Sequence, residues 1–543
     1  MTRDLRPLAD TRFDLVIIGA GFYGAIAAWD ATLRGLSVAL IDKGDFGAGT
    51  SFNNLKTLHG GLRSLQSLNL AQMRLFVRER RALARVAPHL VRPLPFVVPT
   101  YRDARRSAAA MRLALGINDV LSHDRHRDLP DPSLRLPNGE LVPRDECLRL
   151  NQVIDPTGVT GGAVWYDYQV HSTDRMTFSF VHSAAERGAI TANYVKATAL
   201  LREGDRVAGI RAEDQLGLTQ FDIRARTVLN AAGPWATTLL TQLVPGGRSP
   251  APLLSRAMNL VTRRRVSTHA CGGLVEGRFL FLVPWRDGAI LGTSHDPYVG
   301  APDQLLATRE AVTALLDQGR KAFPNALLTP EDVTLVHRGL LPMTASSGPH
   351  VKLLRESAVV DHAADGASGL VSMFGVRYTT ARHTAARAID AVFRDRGVAR
   401  VPSSRTAETP VVGGAIPDKE KFLREAAQPG TDHVSEPTLR RLALNYGTQF
   451  ERITELIRDQ PDLGRPLSDR CVVTAAEIVH AVREEGAVKL SDALIRRTEA
   501  GSAGHPGGDA VATAAAAMAR ELGWDADRVA REVAAVEEFY QLP

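Results

Sequence analysis

Residues 13–42, FDLVIIGAGFYGAIAAWDATLRGLSVALID, constrain the fold more than any other stretch of the chain. Leu15, Val16, Ile17 and Ile18 form a short apolar run of the kind buried in a parallel strand. Gly19, Gly21 and Gly24 then complete G-x-G-x-x-G. An alanine-rich helical stretch runs to about Arg34, Gly35 stops it, and 37–41 reads as a second strand with Asp42 at its end. The three glycines serve different purposes. Gly19 permits the tight turn, Gly21 lets the backbone approach a pyrophosphate, and Gly24 lets the helix pack close to the strand. The helix N-terminus offers unpaired N–H groups to phosphate. Asp42, 18 residues after Gly24, can accept hydrogen bonds from ribose hydroxyls and argues against a 2′-phosphate, hence against NADP. This unit predicts a dinucleotide site and leaves NAD and FAD open. Its place near the N-terminus, with hundreds of residues behind it, leans towards FAD.

The rest of the chain must build further domains, because 543 residues are enough for roughly three to four. Hydrophobic residues at 44% and charged residues at 23% exclude wholesale disorder. Aromatics at 6% and a net charge of only +6 argue against a nucleic-acid partner, while weak attraction to an anionic membrane surface stays open. Cys147, Cys271 and Cys471 are far apart and in no metal-ligand spacing, so no metal site and a reducing compartment are expected. No run of eighteen apolar residues predicts a membrane span, and MTRDLRPLAD has no apolar core for a secretory signal; the expected location is cytoplasmic.

Residues 43–66 read KGDFGAGTSFNNLKTLHGGLRSLQ. A Gly-Thr-Ser turn (Gly49, Thr50, Ser51), then Lys56, then His59-Gly60-Gly61-Leu62-Arg63 resembles the FAD-dependent glycerol-3-phosphate dehydrogenase family, within the D-amino-acid-oxidase-like flavoprotein group. The resemblance continues through Asp174 and Arg175 at a helix start, through TVLNAAGPWA at 227–236, and through FGVRYTTARHT at 374–384. It reaches the helical pattern of 434–498 and 510–540, beyond a linker marked by Pro410, Gly413, Gly414 and Pro417. The resemblance implies non-covalent FAD held by Gly19, Gly21, Gly24, Asp42, Lys43, Gly49, Thr50, Ser51, Lys56, His59, Gly60, Gly61, Val195, Ala232, Gly233, Trp235, Gly375, Arg377, Thr379 and Thr380. It implies an α/β architecture: a Rossmann-type FAD-binding domain (12–95, 150–250 and 351–398), an inserted α+β substrate or cap domain with an antiparallel sheet (96–149 and 251–350), and a C-terminal helical domain (399–543).

The implied activity is oxidation of a secondary alcohol on a small anionic substrate, by default sn-glycerol-3-phosphate to dihydroxyacetone phosphate, with a quinone as electron acceptor. Any membrane contact would be peripheral, on the cytoplasmic face of the inner membrane. A homodimer stays open. Arginine suits recognition of such an anion. Arg63, Arg355 and Arg377 stand at family positions, Arg377 replacing a lysine. Where the family has Gly-x-Arg-Pro-Leu, this chain reads HRGLLPM, so Leu341 replaces an arginine and Arg338 or His337 is the neighbouring candidate to compensate. Ser64 replaces a tyrosine, and His295 stands where the family ends Gly-Thr-Thr in Asp. The general base is left among His59, His295 and His337. These departures keep two rivals open: an amine or hydroxy-acid oxidase or dehydrogenase of another polyol phosphate on the same fold, and a non-catalytic flavoprotein interaction module.

Overall fold

The computed structural model describes residues 1, 3–62, 69–104, 106–241, 253–264, 267–344, 351–428 and 434–543. Arg63 and Ser64 lie outside these.

The first strand, Arg12–Ile18, sits inside an eight-stranded sheet. It pairs in parallel with Val38–Ile41 on one side and with Gln220–Asn230 on the other. Leu370–Phe374 and Ile190–Ala192 extend the parallel set, and Ala358–Asp361, Arg206–Asp214 and Val195–Glu203 add antiparallel strands. One face is covered by helices Phe22–Leu33, Thr173–Glu186 and Ala381–Asp395, whose Ala25, Ile26, Phe178, Phe180, Ala385 and Ile389 join a single buried core. A second core containing Phe13, Val16, Val195 and Leu239 fills the other face. The apolar run at 15–18 is therefore buried on both sides, as a central parallel strand requires.

The second sheet has nine strands, in the order Val333–Met343, Leu253–Thr262, Gly288–Tyr298, Arg278–Trp285, Ala270–Val275, Val91–Thr100, Gly161–Val170 and Thr57–Leu58, with Glu140–Pro143 beside Gly161–Val170. It is antiparallel except where Ala270–Val275 meets Val91–Thr100. The strands Arg278–Trp285 and Gly288–Tyr298 form a hairpin that turns at Arg286-Asp287. Helix Arg309–Ala322 covers one face through Leu315 and Leu316.

The three-part domain division drawn from the sequence is a proposal about folding units, and sheet membership cuts the chain elsewhere. Val91–Thr100 pairs along its whole length with Gly161–Val170, so both strands belong to the second sheet although 91–95 and 161–170 carry the FAD-domain assignment. Between the two sheets' strands a helix spans Leu70–Val86, with Met73, Phe76, Val77, Leu83 and Val86 buried.

The C-terminal region packs helices Lys419–Ala426, Glu436–Tyr446, Phe450–Asp459, Ala475–Arg483, Gly508–Leu522 and Ala526–Tyr540 around a core that also takes in Val261, Trp285, Ile290 and Leu335 of the second sheet. A small hairpin, Pro466–Ser468 with Cys471–Thr474, interrupts the helices.

Candidate functional site

The nucleotide end of the site forms where the first strand turns into its helix. Gly19 has φ +100°, a conformation that favours glycine. A Cβ on Gly24 would stand 1.9 Å from the Gly19 carbonyl oxygen, so only glycine lets this helix seat on this turn. The Phe22 N–H at the helix start donates to Ser51 Oγ at 2.9 Å, which draws the Gly-Thr-Ser turn over the helix N-terminus. Asp42 accepts from the Ala20 N–H at 2.7 Å and the Gly44 N–H at 2.9 Å. Burial outweighs these bonds and pushes its carboxyl up to about 6. Lys43 pairs with Asp303 and lies 4.3 Å from the Trp235 ring centroid, while Trp235 Nε1 donates to the same Asp303 at 2.9 Å. Val195 spends its N–H on the Asp42 carbonyl at 2.7 Å. Ala232 and Gly233 lie close by, since a Cβ on Gly19 would stand 2.8 Å from Ala232 Cα. A bare glycine turn, a helix N-terminus and an acceptor carboxylate at the end of the second strand fit the pyrophosphate and ribose of a dinucleotide.

The other end forms at Gly375–Thr380, ahead of helix Ala381–Asp395. Tyr23, from the first helix, reaches this turn. Its hydroxyl accepts from the N–H groups of Val376 (3.2 Å) and Arg377 (3.1 Å) and donates to the Arg377 carbonyl (2.7 Å). A Cβ on Gly375 would run into the Tyr23 ring at 2.5 Å. The Arg377 guanidinium donates to the Arg355 carbonyl and lies over Phe76. The Arg355 side chain is exposed. Thr379 Oγ1 accepts from the His59 N–H at 3.1 Å, which joins this turn to the His-Gly-Gly segment. Thr380 is buried at the helix start.

His59 is held from the second sheet. Its Nδ1 is 3.6 Å from Asp167 Oδ2, and the Gly60 N–H donates to Asp167 Oδ1 at 2.7 Å. Arg80 donates to the same Oδ1 at 2.5 Å. A Cβ on Gly60 would meet the Arg80 guanidinium, so this glycine is what lets the clamp close. Burial would raise the Asp167 carboxyl, but the nearby His59 imidazole and the charge of Arg80 hold it below the usual carboxylate range. Asp167 and Arg80 escaped the sequence reading. The signal was there: Asp167 is the one charged residue inside the largely apolar strand AVWYDYQV. Gly61, at φ +83°, backs onto Phe76.

Pleating decides which of the remaining candidates share a face with His59. Directly opposed strand residues point the same way. The register runs from Asp167 and Trp165 through Phe96 to Phe281, then Gly292, Asn259 and His337, with Leu341 and His295 on the same side. Arg338, one residue from His337, points to the opposite face. It lines a cavity of about 160 Å³ with Gly49, Thr50, Trp235 and Phe539. The expected compensation for Leu341 by Arg338 is therefore not what the fold builds.

Lys56 is 1% exposed and gives its ammonium to the Phe52 carbonyl (2.8 Å) and Thr173 Oγ1 (2.9 Å). Burial pushes its ammonium down to about 8. It thus braces the Gly-Thr-Ser turn from behind. Thr50 Oγ1 accepts from the Leu340 N–H at 3.2 Å, and Asn53 Oδ1 accepts from Asn259 Nδ2 at 2.8 Å, so the same turn is tied to the second sheet. His337 is sealed between Phe52 and Trp285, and burial, with Lys56 close by, holds it neutral. Among the described residues no cluster could hold a metal ion.

Comparison with known proteins places this geometry. The family model described as FAD dependent oxidoreductase matches residues 14–400, and the C-terminal domain of alpha-glycerophosphate oxidase matches 404–529. A glycerol-3-phosphate dehydrogenase of Mycobacterium leprae is 32% identical over 96% of this chain and 87% of its own. One from Synechocystis is 27% identical over 99% and 98%. The glycerol-3-phosphate dehydrogenase of Bacillus halodurans, solved with FAD, superposes with a TM-score of 0.77 over 99% of this chain and 96% of that one, at 23% identity, and so speaks for the fold. The chain belongs to the FAD-dependent glycerol-3-phosphate dehydrogenase family: it is an oxidoreductase, and its cofactor is FAD.

Proposed function

We propose that this enzyme oxidises the secondary alcohol of a small anionic substrate to a ketone, with sn-glycerol-3-phosphate to dihydroxyacetone phosphate as the default reaction. The observation that carries the reading is His59, hydrogen-bonded through its own N–H to the Gly375–Thr380 turn and clamped by Asp167 in the opposing sheet. Bound FAD supplies the two-electron acceptor for the hydride leaving the alcohol carbon. His59 receives the hydroxyl proton at Nε2, while Asp167 at its Nδ1 fixes the ring and stabilises the imidazolium that results. Arg377, at the mouth of the same turn, holds the anionic group. His337, sealed and held neutral, is a poor proton acceptor by comparison.

The electron acceptor in this reading is a quinone reached at a membrane surface. Among the described residues no helix is long and apolar enough to cross a membrane. Helix Ala108–Leu121, however, buries only Leu115 and leaves Leu113 and Val120 66% and 72% exposed, which supports a peripheral contact. Leu341, an apolar residue on the His59 face, favours the second reading, an altered substrate on the same chemistry. Family membership leaves the interaction-module reading without support.

The test is anaerobic mixing of FAD-loaded protein with sn-glycerol-3-phosphate, watching the oxidised flavin's visible band. Bleaching is expected, and it should be lost in His59→Ala. Reoxidation by a soluble quinone and not by oxygen supports the dehydrogenase. An unbleached flavin that dithionite still reduces overturns the default substrate.

A further inference from the structure

The face of the second sheet that carries His59 continues, without a break in register, into an aromatic floor. Trp165 stands two residues before Asp167 on the strand Gly161–Val170 and points the same way. Phe96 lies directly opposite it, and the two rings stack with centroids 5.2 Å apart and planes 13° from parallel. Phe281 meets Phe96 edge-on at 6.1 Å, and Phe279 continues the row at 6.4 Å from Phe281. Phe96 is 1% exposed and forms the base, whereas Trp165 and Phe281 keep part of their rings open.

A substrate made only of a phosphate and hydroxyl groups gains little from such a floor. Flat rings on a half-open surface favour stacking or apolar burial, with ring centroids about 4.5–7 Å apart. The same face has Leu341 where the family pattern has an arginine, so this side of the site is apolar at two places. Two of its polar groups are already engaged, Asp167 by His59, Gly60 and Arg80, and Asn259 by Asn53 and Thr293, and His337 is sealed between Phe52 and Trp285. The sheet therefore offers the substrate one catalytic histidine and an aromatic bed beside it.

We infer that the physiological substrate is an anionic secondary alcohol that also carries an aromatic or extended apolar group, seated on Trp165 and Phe281. This rests on the proposed oxidation at His59 and adds its substrate class. The reaction is otherwise unchanged: the alcohol carbon loses a hydride to FAD, the hydroxyl proton goes to His59, and the appended group takes no part.

The test compares sn-glycerol-3-phosphate with its 1-O-phenyl ether, which shares the phosphate and the secondary alcohol and turns the terminal hydroxyl into a phenoxy group. Binding to the FAD-loaded protein is read by calorimetry and by tryptophan fluorescence, and flavin reduction separately under anaerobic conditions. The phenyl ether should bind at least tenfold more tightly. Trp165→Ala should remove that advantage and leave the affinity for glycerol-3-phosphate unchanged, with Phe281→Ala as a second variant should the first fail to fold. Trp165→Phe should keep most of the advantage. Equal affinities, or an advantage that survives both alanine variants, overturn the inference. A Trp165-dependent preference without flavin reduction by either compound upholds the aromatic seat and overturns the proposed oxidation instead.

Discussion

The nucleotide turn at 19–24 and the seam at Asp45 solve opposite packing problems with opposite chemistry. At the turn, two backbones approach until no side chain fits, and stability comes from what is missing: a Cβ on Gly24 would lie 1.9 Å from the Gly19 carbonyl oxygen. At the seam, the FAD-binding core meets the C-terminal helices through charge. Asp45, buried, takes Arg497 at 2.7 and 2.8 Å and Arg496 at 2.6 Å. Arg496 also reaches Asp492 at 2.6 Å, and Asp492 in turn accepts from the Tyr194 hydroxyl at 2.6 Å. Arg175 pairs with Glu485 and lies over the Tyr446 ring at 4.1 Å. Burial alone would raise the Asp45 carboxyl, but the two guanidinium groups hold it far below the usual carboxylate range. A close backbone contact is cheap to specify, since one glycine suffices. A buried charge is tolerable only when every partner is present.

That contrast can be broken most severely at the seam. Asp45→Ala would leave Arg497 buried without a carboxylate and Arg496 with Asp492 alone, and should cost about 3–5 kcal/mol of stability, the range seen when one partner of a buried pair is removed. Chemical denaturation measures this, and a loss below about 1 kcal/mol would mean that the seam relaxes to admit water.

Gly24→Ala should cost less, about 1–3 kcal/mol, because the helix can shift by part of the overlap. Its signature is selective: FAD affinity, followed by flavin fluorescence on titration of apoprotein, should fall at least tenfold, whereas Asp45→Ala should leave affinity per folded molecule near wild type. Equal losses of affinity in both variants would erase the distinction between the two regions.

The smallest effect is a pH dependence at the turn. Asp42, pushed up to about 6 by burial, accepts from ribose hydroxyls most strongly when ionised. FAD affinity should therefore be level above pH 6 and fall about tenfold per unit below it. For folding without FAD the sign is reversed: a carboxyl raised above its unfolded value favours the native state at acid pH, and that contribution is lost as pH rises through 6. Asp42→Asn should flatten the affinity profile, and an unchanged profile in that variant would assign the titration elsewhere.

Legibility in the sequence follows the range of the interaction. Gly19, Gly21, Gly24 and Asp42 were readable because their partners lie within about one βαβ unit, where periodicity and spacing carry the geometry. His59 was readable as a candidate but not as the favoured base, since Asp167 lies 108 positions away and meets it only through strand pairing. Tyr23 sits inside the motif yet its partners are Val376 and Arg377, so nothing local marks it. Arg338 was misjudged because one step along a strand reverses the face, and register is a property of the assembled sheet.

By itself the sequence determined that the chain begins its core with a dinucleotide turn, belongs with FAD oxidoreductases and carries a helical C-terminal part. Those features follow from local periodicity, from glycines without alternatives and from motif order. Tertiary structure alone decided which histidine meets a carboxylate, which arginine faces away and which aromatic rings lie beside the reacting site. Hydrogen-bond register between distant strands, together with the burial that settles charge states, has no local code in the residues that obey it.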